Sequence, residues 1–355
     1  MTAMSDLPRG VATLAQIGEF DAIIDARSPA EYADDHVPGA INCPVLSNEE
    51  RAQVGTLYVQ VSPFEARKLG AVLVARNIAS HLEACFLDKP RHWRPLVYCW
   101  RGGQRSGAFA HILREIGWDA HRLKGGYKAW RREVIDNLTQ KPEEFTFIVL
   151  TGATGSAKSR VLEALSRAGA QVLHLEALAE HKGSVLGNLP NQPQPSQKAF
   201  ETRLHCALAE FDPARPVFVE AESRRIGSVS LPNALITSMR NARCVRIEVS
   251  LAARVDFLMR DYDYFLADRH WLAENISRLH GLQSNDMLRH WLALAEQDEL
   301  PVLVAELLEK HYDPLYHRSQ GTNFLAEAAA ATVTAPDLLP ESIYMMAKQI
   351  LAKVC

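Results

Sequence analysis

The chain has 355 residues, of which 47% are hydrophobic and 23% are charged, with 19 glycines and 18 prolines. This composition excludes a fibrous or largely disordered protein, and the length predicts two domains rather than one. Thirty-nine Lys and Arg residues against 42 Asp and Glu residues give a formal net charge of −3, so a polyanion must bind to a local basic patch.

The cysteines and the N-terminus indicate a reducing compartment. The six cysteines are scattered and form no Cys-x-x-Cys pair, which argues against a disulfide framework and a structural zinc site. The first residues lack the apolar core of a signal peptide, and no run approaches the roughly 20 apolar residues that cross a membrane. We therefore expect a cytoplasmic protein with no membrane contact and no structural metal.

Residues 1–140 alternate short apolar runs with helical patterns, which is typical of an α/β domain. Strands are predicted over residues 20–27 and 94–99. A helix is predicted over residues 106–117, where a glycine ends it, as is common at helix C-termini.

Residues 141–355 are predicted to form a second α/β domain. A polar bridge over residues 136–144 precedes a strand over 145–150, a glycine-containing turn and a helix over 158–168. Further strands alternate with helices, as a parallel sheet with crossover connections requires. These strands are predicted over residues 170–175, 215–220 and 243–249.

From residue 252 to the end the pattern is helical. Three prolines are expected to break this region into separate helices, because proline disrupts a helix interior. They are Pro301, Pro314 and Pro340.

Cys99 follows an apolar strand and opens the segment CWRGGQRSGA, after which a helix begins. The amides of this loop and the positive end of the helix dipole stabilise a thiolate, the nucleophilic form of cysteine. Gly102 and Gly103 allow the loop to curl, and Arg105, with Arg101 beside the glycines, can bind a tetrahedral anion. We therefore predict that Cys99 is a catalytic nucleophile, whereas the other five cysteines lack such a setting.

A second pattern lies in the segment DARSPAEYADDHVPGAIN, residues 25–42. It contains an Asp-x-Arg-x-x-x-Glu-Tyr run followed by His-Val-Pro-Gly-Ala. Together with the cysteine loop, this segment resembles the rhodanese family. The resemblance implies a rhodanese-like α/β domain in which Cys99 carries sulfur or selenium, and in which Asp25 and Arg27 support the active loop rather than react.

The spacing of the cysteine loop leaves an alternative open. Cys99 and Arg105 are separated by five residues, one more than in the commonest sulfurtransferase loop, and tyrosine-phosphatase-type loops share this spacing. A longer loop makes a wider cup that accepts a phosphate-sized donor, so a phosphatase remains possible for this domain. No acidic residue of the sequence can be assigned as the leaving-group acid that a phosphatase needs.

The segment GATGSAKS, residues 152–159, lies between a predicted strand and a predicted helix, the context in which a phosphate-binding P-loop is found. It departs from the G-x4-G-K-[ST] pattern at Ala157, where glycine is usual. The loop amides can hold a diphosphate, Lys158 adds a positive charge, and Ser159 can bind Mg²⁺. The predicted diphosphate-binding residues are Gly152, Gly155, Ser156, Lys158 and Ser159.

Charged residues follow the predicted strand over 215–220. Carboxylates beside guanidinium groups can hold a metal-diphosphate or an RNA backbone, although a solvated charged loop explains them equally well. These candidates are Glu220, Glu222, Arg224 and Arg225. A weaker candidate for anion binding is the pair His181 and Lys182, which precedes Gly-Ser.

The fusion of the two domains is more specific than either motif alone. The second domain contains the segments LEALAEHKGSVLG, QPSQKAFE and FVEAESRRIG. A rhodanese-like domain joined to a P-loop NTPase-like parallel-sheet domain with these segments and a helical C-terminal region resembles the tRNA 2-selenouridine synthase family.

The resemblance implies a transferase whose partner is tRNA with 2-thiouridine at the wobble position. The implied reaction is S-geranylation with geranyl diphosphate, followed by replacement of the geranylthio group by selenium from selenophosphate. Cys99 would then serve selenation and Lys158 mainly geranylation. No tightly bound cofactor is expected, Mg²⁺ is possible, and an enzyme that supplies selenophosphate is a possible partner.

Because the net charge is slightly negative, tRNA binding must rest on local patches. The arginine candidates are Arg91, Arg94, Arg101, Arg131, Arg132, Arg224 and Arg225, and the segment DYDYF, residues 261–265, offers rings for base stacking. Three other functions remain open at this stage: a rhodanese-type sulfurtransferase, a P-loop small-molecule kinase and a non-enzymatic phosphate-sensing module.

Overall fold

The computed structural model describes residues 8–184, 187–189, 192–261, 268–324 and 329–354. The chain divides into two compact units, Met1–Asp136 and Asn137–Cys355. This division falls within the helix Gly126–Gln140, whereas the sequence placed a boundary after residue 140. The predicted polar bridge is helical, because this helix is followed by a short 3₁₀ helix, Lys141–Glu144.

The first unit contains a five-stranded parallel sheet in the order β1-β5-β4-β2-β3. The strands are β1 (Val11–Ala12), β2 (Ala22–Asp25), β3 (Ala40–Asn42), β4 (Pro95–Tyr98) and β5 (His121–Leu123). The helices are α1 (Pro29–Asp34), α2 (Asn48–Gln60), α3 (Pro63–His81), α4 (Gln104–Ile116) and α5 (Gly126–Gln140).

Local sequence explains where these helices begin and end. Ser47 accepts a hydrogen bond from the Glu50 amide, while the Glu50 carboxylate accepts one from the Ser47 amide, which is a complete capping box for α2. Helix α4 ends at Gly117, which adopts the left-handed conformation with φ of 107°. The buried side chains Ile24, Val97 and Phe109 join the sheet to α4 in one core.

The second unit contains a parallel sheet in the order β12-β11-β6-β8-β7. Its strands are β6 (Phe147–Thr151), β7 (Gln171–Leu173), β8 (Val217–Glu220), β11 (Arg243–Glu248) and β12 (Ala331–Thr334), and a separate hairpin pairs β9 (Arg225–Ile226) with β10 (Val229–Ser230). The helices up to residue 261 are α6 (Lys158–Arg167), α7 (Leu175–Ala179), α8 (Gln197–Ala209), α9 (Asn233–Arg240) and α10 (Leu251–Asp261).

The C-terminal region is mostly helical, as predicted, with one exception. Its helices are α11 (Arg269–Ser277), α12 (Asn285–Glu296), α13 (Leu300–Leu307), α14 (Asp313–Asn323) and α15 (Pro340–Val354). The exception is β12, which pairs in parallel with β11 at the edge of the sheet. The helical prediction is wrong there, because the three consecutive β-branched residues Thr332, Val333 and Thr334 favour a strand, and Val333 is buried.

The three prolines expected to separate the C-terminal helices lie in first turns. Pro301 is the second residue of α13, Pro314 is the second of α14, and Pro340 is the first of α15. A proline is tolerated there because the first amides of a helix have no partner within it.

Helix α10 packs against two hydrophobic clusters of the second unit. Its residue Phe257 belongs to the core around the sheet, whereas Val255 belongs to a helical core built around Trp291 and Leu303. Among the described residues, no helix combines the length and apolarity needed to cross a membrane. The α/β fold class, with a parallel-sheet second domain and a helical C-terminal region, is confirmed.

Candidate active site

Cys99 lies directly after β4, at the N-terminal end of α4. The residue is 4% exposed, and its Sγ atom lies 3.2 Å from Oγ of Ser106, the third residue of the helix. A hydroxyl and the positive end of a helix dipole both stabilise a negative charge on sulfur. Sequence reasoning missed Ser106, although its place in the first turn after the loop was a usable signal.

Backbone contacts hold the cysteine loop against the first turn of α5. The Tyr127 amide donates to the Cys99 carbonyl oxygen at 2.9 Å, and the Lys128 amide donates to the Trp100 carbonyl at 2.9 Å. A Cβ atom on Gly126 would lie 2.2 Å from the Cys99 oxygen, and one on Gly102 would lie 2.5 Å from the Leu123 oxygen. Both glycines have positive φ, so the loop requires them for space and for conformation.

The other predicted loop residues differ in their surroundings. A Cβ added to Gly103 would have no other atom within 4 Å, and the residue has a φ of −94°. This position therefore requires glycine less strictly than Gly102 does. Arg101 is exposed. Arg105 donates from Nη1 to Glu31 Oε2 at 2.8 Å, so an anion in this loop must share the guanidinium with a carboxylate.

Glu31 joins α1 to this loop. Its Oε2 atom also lies 3.0 Å from Nε of Arg51. Burial opposes ionisation, but the hydrogen bond and the charge of Arg105 hold the pKa of Glu31 below its usual range. The carboxylate is therefore ionised and fixes Arg105 in place.

Asp25 and Arg27 are buried and form an ion pair, with 2.6 Å between Arg27 Nη2 and Asp25 Oδ2. The same Nη2 donates to the Asp35 carbonyl oxygen at 2.6 Å, and the guanidinium lies 3.9 Å from the ring centroid of Tyr127. The Tyr127 amide binds the Cys99 oxygen, so this pair contacts the cysteine loop through α5. These contacts are consistent with the predicted role of Asp25 and Arg27 in supporting the cysteine loop.

The phosphate loop connects β6 to α6. Gly152 has a φ of 150°, and a Cβ there would lie 2.8 Å from the Ile247 oxygen, while a Cβ on Gly155 would lie 2.9 Å from Leu258 Cδ1. Ala157 immediately precedes the helix with φ of 58° and ψ of 28°, in the left-handed region that glycine adopts at lower cost. The alanine therefore preserves the shape of the loop and carries backbone strain.

Lys158 and Ser159 already have partners. Lys158 Nζ donates to the Gly152 carbonyl oxygen at 2.8 Å, so the side chain folds back across the loop. Burial lowers the pKa of Lys158, and the charges of neighbouring carboxylates, first among them Glu176, oppose that shift. Ser159 Oγ donates to Glu176 Oε2 at 2.7 Å.

Carboxylates from separate segments converge beside the phosphate loop. A Cβ on Gly183 would lie 2.6 Å from Glu222 Oε1 and 3.0 Å from Glu176 Oε1. Glu220, at the end of β8, is 1% exposed, and burial together with the charge of Glu176 raises its pKa to about 8. Burial also raises the pKa of Glu222 well above its usual value. Sequence reasoning found Glu220 and Glu222 but missed Glu176.

A cavity of about 450 Å³ opens at the phosphate loop. Loop residues 154–160 line it together with polar residues, among them Lys182, Glu176 and Glu222. Apolar residues from α10, α14 and the segments next to them also line the cavity, and we call them the apolar wall. This apolar wall consists of Phe257, Leu258, Tyr312, Leu315, Tyr316 and Phe324.

Arg254, which sequence reasoning missed, ties the phosphate loop to α14. The residue is 7% exposed, and it donates from Nη1 to the Thr154 carbonyl oxygen at 3.2 Å. Both its terminal nitrogens also bind the Asp313 carboxylate, at 2.7 and 2.8 Å. The guanidinium therefore holds the start of α14, and with it part of the apolar wall, close to the phosphate loop.

The remaining predicted residues lie in different places. His181 is buried, and its Nδ1 accepts a hydrogen bond from the Gly183 amide at 3.1 Å, so it shapes its own turn, whereas Lys182 lines the cavity. Arg224 and Arg225 are exposed at the β9–β10 hairpin and do not line the cavity. In the DYDYF segment, Asp261 pairs with Arg160, and residues 262–265 lie outside the described residues.

Two family models match separate parts of the chain. Residues 11–133 match the rhodanese-like domain, and residues 145–293 match the tRNA 2-selenouridine synthase AAA domain. The class of protein is therefore a rhodanese-like domain fused to a phosphate-loop domain of the AAA type.

Curated relatives identify the family more closely. The tRNA 2-selenouridine synthase of Marinobacter nauticus is 34% identical over 323 residues, which cover 83% of this chain and 87% of that protein. The synthase of Aeromonas salmonicida is 34% identical over 343 residues, with 88% and 91% covered. The synthase of Nitrosomonas europaea is 39% identical over 244 residues, which cover 68% of this chain but 63% of that relative's length. The chain belongs to the tRNA 2-selenouridine synthase family.

Proposed function

We propose that this protein converts the wobble 2-thiouridine of tRNA into 2-selenouridine in two steps, geranylation and selenation. The observation that carries the proposal is the cavity of the second unit. It joins a phosphate loop to an apolar wall within about 450 Å³. A diphosphate ester of a hydrocarbon needs an anion site and an apolar surface next to it, and this cavity offers both. Geranyl diphosphate has this chemistry.

In the first step, the loop amides and Lys158 bind the diphosphate, while the apolar wall binds the geranyl chain. The thiocarbonyl sulfur of the base attacks C1 of the geranyl group, a carbon–sulfur bond forms, and diphosphate leaves with the electrons of the broken carbon–oxygen bond. The proton on N3 of the base is released, which leaves a neutral geranylthio base. The helix N-terminus and Lys158 stabilise the charge that develops on the leaving group.

Oxygen donors beside the loop fit a Mg²⁺ ion that accompanies the diphosphate. Ser159 Oγ and the carboxylates of Glu176 and Glu222, which all line the cavity, are the hard ligands that Mg²⁺ prefers. Glu220 does not line the cavity, and its Oε1 atom accepts a hydrogen bond from the Glu176 amide at 2.8 Å. A bound Mg²⁺ would neutralise part of the diphosphate charge.

In the second step, Cys99 carries selenium from selenophosphate to the base. The thiolate attacks selenium, a sulfur–selenium bond forms, and phosphorus leaves with the electron pair of the Se–P bond, as phosphite. The perselenide then attacks C2 of the base and expels geranylthiolate. Two molecules of a low-molecular-weight thiol complete the cycle: the first attacks the Cys99 sulfur, breaks the S–Se bond and releases 2-selenouridine, and the second attacks the resulting mixed disulfide, restores the Cys99 thiol and leaves as the disulfide of the two small thiols.

The tRNA backbone is expected to bind exposed arginines, since the chain carries no net positive charge. Arg224 and Arg225 at the β9–β10 hairpin directly follow Ser223, which lines the cavity. If they bind phosphates, tRNA affinity falls as salt rises, and replacing both with Ser makes that dependence shallower by about two counterions. An unchanged salt slope argues against this surface.

The proposal is tested by incubating the protein with 2-thiouridine tRNA, geranyl diphosphate and a thiol reductant, with and without selenophosphate, and identifying nucleosides by mass spectrometry. Cys99→Ser should retain geranylation and lose selenation, whereas Lys158→Met should lose geranylation. Cys43→Ser is the matched control, because Cys43 is buried and burial raises its pKa to about 12. Turnover of ATP without any tRNA product would contradict the proposal in favour of a kinase.

Phosphorus NMR tests the fate of the selenium donor separately. Transfer of selenium to the Cys99 thiolate requires phosphite as the phosphorus product. Phosphate released in step with 2-selenouridine would exclude the perselenide and leave Cys99 with another role in selenation.

A further inference from the structure

His311 lies in the helical turn Leu308–Tyr312 that leads into α14, and it is one of the residues that line the cavity at the phosphate loop. The residue is 3% exposed. It belongs to neither the phosphate-loop motif nor the charged segment around Glu220. Both ring nitrogens of a buried histidine need a hydrogen-bond partner, because neither can bind water.

Gln283 determines which ring nitrogen carries the proton. The side-chain nitrogen of Gln283 donates to the Lys310 carbonyl oxygen at 3.3 Å and lies 3.2 Å from His311 Nδ1. A backbone carbonyl can only accept, so this contact orients the amide with its nitrogen towards both atoms. Nδ1 must therefore accept, and the proton resides on Nε2. Burial also lowers the pKa of His311, which favours the neutral ring.

The Nε2–H group is a buried donor that lacks an acceptor among the described residues. An unpaired buried donor is unfavourable because it has given up its hydrogen bond to water. Such a group in a cavity wall is satisfied when a ligand supplies the acceptor. An anionic oxygen is the strongest acceptor available to a neutral N–H.

The position of the ring indicates which part of a ligand it meets. His311 precedes Asp313 by two residues, and Arg254 binds both the Asp313 carboxylate and the Thr154 carbonyl of the phosphate loop. His311 therefore belongs to the segment that Arg254 holds next to the phosphate loop. A ligand acceptor there belongs to the phosphate group rather than to the distal hydrocarbon.

We propose that His311 binds the diphosphate of the substrate by donating a hydrogen bond from Nε2–H to a phosphate oxygen, and that Gln283 positions it by fixing the tautomer. This inference rests on the proposed function, in which the phosphate loop binds a diphosphate ester. His311 acts as a neutral donor beside the cation Lys158, so it adds direction to diphosphate binding without adding charge.

The test uses the full-length protein and inorganic pyrophosphate as the probe, with affinity measured by calorimetry. His311→Phe keeps a ring of similar shape without the donor, and it should weaken pyrophosphate binding by about tenfold or more. His311→Gln retains an N–H donor and should recover part of the loss. Gln283→Leu should give a smaller loss, because it frees the tautomer without removing the ring.

His270→Phe is the control, since His270 is an exposed histidine of α11. It should leave pyrophosphate affinity unchanged. Circular dichroism and thermal unfolding show whether each variant is folded. If His311→Phe does not fold, the pyrophosphate affinities of His311→Gln and Gln283→Leu test the inference instead. Unchanged pyrophosphate affinity in the folded His311 variants overturns the inference, and so does a wild-type protein that binds no pyrophosphate.

Two further outcomes distinguish this inference from contact of His311 with the nucleobase and from the proposed function. If His311→Phe lowers only the affinity for tRNA, the donor faces the nucleobase and the inference is wrong. If wild-type protein binds pyrophosphate through His311 but does not geranylate tRNA, the inference holds while the proposed function fails.

Discussion

The cysteine loop and the phosphate loop use the same local plan for different chemistry. Each follows a parallel strand, turns on glycines with positive φ and ends at a helix N-terminus, a site that favours negative charge. The first loop places a thiol at that site and shares its cation Arg105 with Glu31. The second leaves room for a ligand and places Lys158 among carboxylates. In the proposed function the first loop therefore performs covalent chemistry and the second binds an anion. The difference lies in the side chains around each helix N-terminus, not in the backbone plan.

The largest loss of stability and activity should come from adding a side chain at Gly126, where the cysteine loop contacts α5. Gly126→Ala puts a Cβ 2.2 Å from the Cys99 oxygen, so we expect a loss of about 3 kcal/mol in stability together with the loss of selenation. Denaturant unfolding and product analysis measure both. Gly103→Ala is the matched control, because an added Cβ there meets no atom within 4 Å. Equal effects from the two variants would show that the close approach is unimportant.

A second prediction concerns the hydroxyl that faces the thiol. Ser106→Ala removes the group 3.2 Å from Cys99 Sγ, so the thiolate loses a hydrogen bond and selenation should slow by about tenfold or more. Geranylation should be unchanged, since the proposed function assigns the two steps to different loops. Ser80→Ala, an exposed serine on α3, is the control. Equal slowing of geranylation and selenation would contradict the assignment of the two steps to different loops.

Through three histidines, acid should destabilise the half that contains the phosphate loop. Burial lowers the pKa of His174, His181 and His311, all in the second unit. At these three histidines the unfolded chain therefore binds more protons than the folded one, so their contribution to stability falls as pH drops below about 6.5, by at most about 1.4 kcal/mol per pH unit for each histidine. The raised pKa values of Glu220 and Glu222 act in the opposite direction, because the folded chain keeps protons there that the unfolded chain has released, so histidine variants are needed to isolate the acid-sensitive part.

Denaturant unfolding at a series of pH values measures this slope. His181→Gln and His311→Gln should each flatten it, and His270→Gln, at an exposed site, should not. A slope that survives the removal of both buried histidines would assign the acid sensitivity to other groups.

The smallest effect is expected at the departure from the phosphate-loop pattern. Ala157→Gly relieves a φ of 58°, which costs about 1–2 kcal/mol for a residue with a Cβ, but it also removes a methyl group that is 5% exposed and worth about 0.8 kcal/mol. The two terms nearly cancel. Stability should change by less than about 1 kcal/mol, and pyrophosphate affinity should be retained. A large loss of affinity would show that the alanine itself shapes the site.

Predictions from sequence succeeded where the signal was local. The strand, glycine turn and helix around Cys99 and around Lys158 lie where the pattern indicated, because each is encoded within about 15 residues. Strand β12 was missed since its pairing partner β11 is distant in the chain, and sheet pairing overrides a helical pattern. Arg254 was missed because it lies in none of the quoted segments, and Glu176 was missed because its segment LEALAEHKGSVLG does not show that it meets Ser159 of the phosphate loop.

The sequence alone determined the two loops, their glycines and the family to which the chain is similar, since closely spaced residues specify backbone conformation directly. Only the tertiary structure decided what surrounds the loops. It joined Glu31 to Arg105, brought Glu176 and Glu222 together, and placed apolar side chains in the same cavity as the phosphate loop. These contacts link residues far apart in the chain, and the sheet order and helix packing that bring them together are not visible in local spacing.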